Sequence, residues 1–218
     1  MSAEARNSSS ADLKQWLARS PLIAILRGVR PEEVEAIGAA LFDAGVRIVE
    51  VPLNSPQPLD SIARLARRFG SDMLVGAGTL TEPSHAAEVA AAGGQLAVTP
   101  HADTAIVSAA KAAGLIAVPG FFNPTEAFAL LRAGADAIKL FPADVLGPQM
   151  LKAMRAVLPK GALVIPVGGI GPEQITPWFA AGANGFGIGT AIYKPGDDAP
   201  MVESKARALM NAIRSARG

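Results

Sequence analysis

Eight short apolar runs, separated by alanine-rich stretches of helical period, constrain this chain more than any other feature. The runs are Leu22–Leu26, Ile48–Val51, Met73–Ala77, Leu96–Thr99, Leu115–Val118, Ala137–Phe141, Leu163–Val167 and Gly185–Gly189. Each is four or five residues long, a length that suits a buried strand and falls short of a helix. Between them, hydrophobic residues recur at helical spacing over about 31–44, 58–69, 83–92, 102–113, 124–133, 148–158, 172–181 and 199–216. Pro31, Pro83, Pro124 and Pro172 stand where a first turn begins and a missing N–H is harmless. Gly45, Gly93, Gly114, Gly134 and Gly182 follow the helical stretches, where a left-handed residue closes a helix. A further amphipathic helix, about Ala11–Ala18, precedes the first strand and is placed to cover the bottom of the fold. Strand then helix, eight times over, predicts an α/β fold with parallel strands: a (β/α)8 TIM barrel with a short N-terminal helix. An open doubly wound sheet would carry a Gly-rich dinucleotide turn after its first strand, which Arg27-Gly28-Val29-Arg30-Pro31 is not.

A chain of 218 residues can bury one sizeable core. The expectation is a single domain over residues 11–218, preceded by a small, polar, disordered tail at 1–10. That tail has no apolar segment of the kind a signal peptide needs, so a cytoplasmic protein is expected. Half the residues are hydrophobic, yet the longest uncharged stretch, Gln174–Tyr193, is interrupted by glycines and Pro177, so no membrane span is expected. There are no cysteines, which excludes disulfides, thiol catalysis and thiolate metal sites. Two histidines, His85 and His101, make no ligand set, so neither a metal nor another cofactor is expected. Twenty basic and 19 acidic residues leave a net charge of +1, without the electrostatic footprint of a nucleic-acid binder.

The chemistry is then sought at the C-terminal ends of the strands, where barrels build their sites. Lys139 lies inside the apolar run Ala137-Ile138-Lys139-Leu140-Phe141, sharing a face with Ala137 and Phe141. An ammonium is costly to hold there unless paired or deprotonated. A desolvated lysine loses its proton more readily and becomes a nucleophile able to form a Schiff base with a ketone. The plain alternative is a lysine stem packed on apolar atoms with its head reaching a carboxylate or water. Glu50, inside Ile48-Val49-Glu50-Val51, is the expected partner, as a proton shuttle or simply a counterion. By strand parity Arg27, Thr79 and Thr99 are expected to face the same mouth, and Phe141 to line its wall.

The last two strand ends read Val167-Gly168-Gly169-Ile170-Gly171-Pro172 and Gly187-Ile188-Gly189-Thr190. Glycines let a backbone approach an anion closely, and these two ends are where barrels hold phosphate. A single Gly-Gly would be no more than a tight turn. Two such ends on adjacent strands, the second followed by a hydroxyl, point to a phosphorylated substrate bound by Gly168, Gly169, Gly189 and Thr190, with Val167 beside it.

Together "PLIAILRG", "VEVPLNSP", "GAGT", "VTP", "IKLFPA", "PVGGI" and "GIGT", in that order between Pro21 and about Tyr193, resemble the 2-keto-3-deoxy-6-phosphogluconate and -galactonate aldolase family. These are class I pyruvate aldolases of the (β/α)8 fold. The resemblance implies that Lys139 is the Schiff-base lysine, Glu50 the proton shuttle, Arg27 and Thr79 substrate-binding groups, and the Gly-rich ends the phosphate site. Gluconate-type members tend to carry an arginine and a threonine just beyond the glutamate's strand, whereas Pro52-Leu53-Asn54-Ser55-Pro56 resembles the galactonate type. The implied reaction cleaves the galactonate-derived phosphorylated keto acid to pyruvate and glyceraldehyde 3-phosphate, and the implied assembly is a homotrimer. The gluconate epimer, a non-covalent phosphosugar-binding barrel and a phosphosugar isomerase are the alternatives. Gly120-Phe121-Phe122-Asn123 departs from the family's pattern of smaller residues; the two phenylalanines are placed to narrow the mouth or to meet a subunit contact.

Overall fold

The computed structural model describes residues 9–217, so the expected tail lies outside the described residues up to position 8. Ser9 and Ser10 already belong to helix α1 (Ser9–Arg19). Strands and helices then alternate: β1 (Leu22–Ile25), α2 (Pro31–Asp43), β2 (Ile48–Pro52), α3 (Pro58–Phe69), β3 (Leu74–Gly78), α4 (His85–Ala91), β4 (Leu96–Val98) and α5 (Thr104–Ala112). The second half runs β5 (Ile116–Val118), β6 (Gly120–Phe121), α6 (Pro124–Arg132), β7 (Ile138–Leu140), α7 (Ala143–Arg155), β8 (Val164–Pro166), α8 (Ile175–Ala180), β9 (Phe186–Ile188) and α9 (Ala199–Arg217).

The helices begin where polar side chains can take their free N–H groups. Asp103 accepts from Ala105 and Ile106 ahead of α5, and Asn123 accepts from Glu126 at 3.0 Å ahead of α6. Glu33 in the first turn of α2 accepts from the backbone N–H of Arg30 at 3.1 Å, and Pro31 occupies the first helical position. Helix α7 starts at Ala143, earlier than its periodicity suggests, because a first turn precedes a kink at Gly147 (φ 71°) ahead of Pro148.

The fold is α/β and every strand pair is parallel. Hydrogen bonding groups the strands into a six-stranded sheet, β5-β4-β3-β2-β1-β9, and a three-stranded sheet, β6-β7-β8. The expected single ring of eight strands is therefore not what the ladders define. Pro119 has no N–H to give and ends β5 directly after the fifth apolar run, and Gly120–Phe121 beyond it makes a further short strand, β6, that pairs with β7 instead. At the other seam one bridge, Val167 with Gly187, and the bond from Asn184 N–H to the Val164 carbonyl at 3.0 Å join β8 to β9.

Parity sorts the strand residues into two apolar clusters. Leu22, Ala24, Val49, Val51, Val75, Ala77, Ala97, Ala117, Ile138, Leu140 and Ile188 meet the helices. Ile23, Ile25, Ile48, Leu74, Leu96, Val98, Ile116, Val118, Ala137, Ile165 and Val167 form the second face, the helix-free face, which α2–α9 leave uncovered and only α1 meets at one end. Leu13 and Leu17 of α1 join that second cluster with Trp16 packed against it, so α1 covers the end where the strands begin. Glu50 and Lys139 have the parity of the helix-free face and stand midway along it: Glu50 pairs in register with Ile25 and Gly76, Lys139 with Gly120 and Ile165.

Candidate active site

Lys139 is 6% exposed and Glu50 2%, and among the described residues no ion pair joins them. Burial pushes the Lys139 ammonium below the usual lysine range; Glu50 pulls it back up, and Arg27 depresses it further. Burial likewise raises the Glu50 carboxyl above the usual range, against the opposing pull of Lys139 and Arg27. For each group desolvation outweighs the neighbouring charge. Lys139 Nζ sits 4.8 Å from the centroid of the Phe141 ring, which supplies part of the apolar wall.

Glu50 reaches this position because β3 has no side chain beside it. A Cβ on Gly78 would fall 1.5 Å from Glu50 Oε2, so only glycine leaves room for the carboxylate. Oε2 is buried without a hydrogen-bond partner. A buried acceptor left unmatched costs roughly 1–3 kcal/mol, and such groups concentrate where a substrate or a water completes the set. Next to Gly78, Thr79 has φ 59°. For a β-branched residue that left-handed conformation costs about 1–3 kcal/mol. Thr79 is half-buried at the strand end; Leu74, Gly76 and Gly78 have the parity of the mouth, so strand parity does not put Thr79 there as expected, and it is not among the residues that line the cleft.

Beyond Lys139 the strand ends enclose a cleft of about 410 Å³, lined by Ile25, Arg27, Phe141, Val167, Gly168, Gly169, Ile170, Gly187, Gly189 and Thr190. Seven of the residues expected to bind substrate or phosphate thus come together: Arg27, Phe141, Val167, Gly168, Gly169, Gly189 and Thr190. Gly168 (φ 115°) and Gly169 (φ 63°) make a reversal other residues resist, and a Cβ on Gly169 would meet Asp144 Cβ at 2.5 Å. A Cβ on Gly187 would meet Val167 Cγ2 at 2.6 Å, so the two Gly-rich ends close on one another.

Thr99 corrects its expectation. Strand β4 presents Leu96 and Val98 to the helix-free face, which leaves Thr99 on the opposite parity. It lies with Ala97, Ile106, Val107 and Ala110, against α5. Its hydroxyl donates to the His101 carbonyl and accepts from Gly120 N–H at 3.1 Å, fastening β4 to the start of β6. Phe121 is buried among the helix-facing residues and does not narrow the mouth, while Phe122 is 48% exposed. His85 accepts the backbone N–H groups of Thr81 and Glu82 at 3.3 and 3.4 Å through Nδ1, a turn-forming role. Two features escaped the sequence. One is the seat that Gly78 makes for Glu50, for which "GAGT" was the signal. The other is a bond from Arg27 Nη1 to Asn54 Oδ1 at 2.8 Å, for which "PLNSP" was the signal.

A buried amine whose pKa desolvation lowers, a buried carboxylate that bears on it electrostatically, and a glycine-lined cleft with one guanidinium that shares Phe141 with the amine are a set able to attack a ketone, move a proton and hold an anion. Residues 13–200 match the sequence model of the KDPG and KHG aldolases. The chain is 42% identical over 202 residues to the 2-dehydro-3-deoxy-6-phosphogalactonate aldolase of Escherichia coli K12, covering 93% of this chain and 98% of that one. A solved structure of native KDPGal superposes with a TM-score of 0.89 at 42% identity, covering 90% of this chain and 96% of that chain. The KDPG aldolase of Legionella pneumophila, solved with pyruvate captured at low pH as a covalent carbinolamine intermediate, is 25% identical with a TM-score of 0.79. That likeness covers 93% of this chain and 97% of that one. A sequence match across most of the chain, joined to a lysine and a carboxylate buried midway along two strands, leads to one conclusion: the chain belongs to the KDPG and KHG aldolase family.

Proposed function

We propose that this enzyme, a lyase by its family, cleaves 2-dehydro-3-deoxy-6-phosphogalactonate to pyruvate and glyceraldehyde 3-phosphate through an imine on Lys139. The observation that carries the reading is Lys139 itself, buried on the helix-free face with its ammonium destabilised by desolvation. Neutral Nζ attacks the C2 ketone, and loss of water gives an iminium that serves as the electron sink. Glu50, directly or through a water, takes the C4 hydroxyl proton as the C3–C4 bond breaks. A carboxylate whose pKa is raised by burial is the stronger base for that step. Glyceraldehyde 3-phosphate leaves, and the remaining enamine is protonated and hydrolysed to pyruvate.

Arg27 and Thr79 bind the substrate, Phe141 and Val167 line its path, and Gly168, Gly169, Gly189 and Thr190 receive the phosphate. The galactonate epimer is favoured by Asn54-Ser55 after the second strand and by likeness to the Escherichia coli galactonate enzyme. Covalent capture of pyruvate by the Legionella relative supports the imine. The two sheets act as one closed (β/α)8 barrel over residues 11–218. Support comes from the Val167–Gly187 bridge at one seam and from the bond between Lys139 N–H and the Pro119 carbonyl, 2.8 Å, at the other. The same reading makes the enzyme a homotrimer, like others of its family, and places it in the cytoplasm, where a phosphorylated acid is retained. Among the described residues no helix is long and apolar enough to cross a membrane.

Borohydride added with pyruvate is expected to leave a reduced adduct on Lys139, located by peptide mass, and Lys139→Met is expected to lose both adduct and cleavage. An unmodified Lys139 in an enzyme that still turns over would give the site to an isomerase instead. Pyruvate release from the galactonate and gluconate epimers, measured side by side, tests the substrate.

A further inference from the structure

The loop after β1 is fixed from both sides. Gly28 N–H donates to Ser55 Oγ at 2.9 Å, and Ser55 is buried at the turn after β2. On the other side Gly28 packs so closely on Pro195 that a Cβ there would lie 2.8 Å from Pro195 Cγ. The backbone that carries Arg27 is thus held between the turns after β2 and β9. Its side chain is held as well, by Nη1 donating to Asn54 Oδ1 at 2.8 Å. Arg27 lines the cleft and, among the described residues, makes no ion pair. A guanidinium keeps further N–H donors after one is taken, and an amide oxygen takes that one without cancelling the positive charge. A carboxylate in the same place would orient the guanidinium equally well and neutralise it.

We propose that Asn54 is a positioning residue that aims the Arg27 guanidinium into the cleft while leaving its charge uncompensated for the substrate's phosphate. This deepens the proposed function and rests on it for the identity of the substrate. Asn54 is exposed, so its replacement leaves the core untouched.

The test uses Asn54→Ala, which frees the guanidinium, and Asn54→Asp, which holds it and cancels its charge. Both are expected to raise KM for 2-dehydro-3-deoxy-6-phosphogalactonate about tenfold with kcat falling less than about threefold, at an unchanged thermal midpoint. Titration calorimetry with inorganic phosphate separates the two. Asn54→Ala should bind more weakly but retain the salt dependence of the wild type, whereas Asn54→Asp should lose most of that dependence. A KM within about twofold of the wild type in Asn54→Ala, or salt-sensitive phosphate binding in Asn54→Asp, overturns the proposal. So does a wild type that binds no phosphate. Phosphate binding needs no turnover, so a wild type that binds phosphate and fails to cleave the galactonate substrate sinks the proposed function alone.

Discussion

Lys139 and Glu50 are each held toward the neutral form, and their opposed charges soften that effect without reversing it. This fixes the sign of a pH experiment. In Glu50→Gln the influence that raises the Lys139 pKa is gone, while desolvation and Arg27 remain to depress it. Imine formation needs the neutral amine, so its rise with pH should move to lower pH in the variant. The same substitution removes the proposed base, and cleavage should fall about 10²-fold or more. A pH series of borohydride trapping with pyruvate, run beside cleavage rates, reads both effects. A folded variant that traps no pyruvate at any pH would show that Glu50 also makes the imine. Lys139 and Glu50 were legible in the sequence because a charge inside a short apolar run breaks a pattern everything around it obeys. Asn54 was legible only as a mark of substrate type. Its contact with Arg27 joins loops 27 residues apart, and a side-chain bond of that kind leaves no periodicity behind.

At the scale of elements, the strands were readable from their apolar runs, but where each one stops was not. In the fourth run every residue but Thr99 is apolar, so nothing in it fixes which face is inward; Leu96 and Val98 face inward, and Thr99, just past the strand's end, falls on the opposite side. Pro119, just past the fifth run, separates β5 from the extra strand β6 for a reason local to its missing N–H. The third strand carries the constraint that composition concealed. Gly76 and Gly78 have the parity of the helix-free face, and an added Cβ would strike Leu96 O at 2.1 Å in the first case and Glu50 Oε2 at 1.5 Å in the second. At Gly78 the obstacle is a side chain, so the strand can stay and the carboxylate must turn. Gly78→Ala is therefore expected to fold with a loss of about 1–3 kcal/mol. It should cleave at least about tenfold more slowly, since a base displaced from its geometry loses much of its advantage, while pyruvate trapping on Lys139 persists. Denaturant unfolding, cleavage rate and trapping measured together check this. A variant that cleaves like the wild type would mean that Oε2 is not held where the reaction needs it.

Across the whole molecule, chemistry and stability are assigned to opposite ends of the same strands. The cleft opens where β1, β7, β8 and β9 finish, and it is lined by glycines and one guanidinium that add little cohesion. The starting ends are sealed by α1, whose Leu13 and Leu17 are 0% and 3% exposed and lie with Ile48, Leu74, Leu96, Ile116 and Ala137. Gly185 sits so close to this helix that a Cβ there would be 2.9 Å from Leu17 Cδ2, which shows how tightly the seal is fitted. The amphipathic stretch before the first strand announced such a cover; its depth of burial needed the assembled strands. Leu17→Ala should remove transfer free energy and leave a cavity that close packing cannot refill, a cost of about 2–5 kcal/mol. For a chain of this size each kcal/mol is worth about 2–4 °C, so the thermal midpoint should fall by roughly 4–20 °C. At 25 °C kcat/KM should stay within about twofold of the wild type, because the lost contacts lie at the end of the strands away from Lys139, and distant sites add independently. Calorimetry and steady-state kinetics on one preparation decide it. A cleavage rate that fell with an unchanged midpoint would mean that the α1 end positions the active site rather than supporting it.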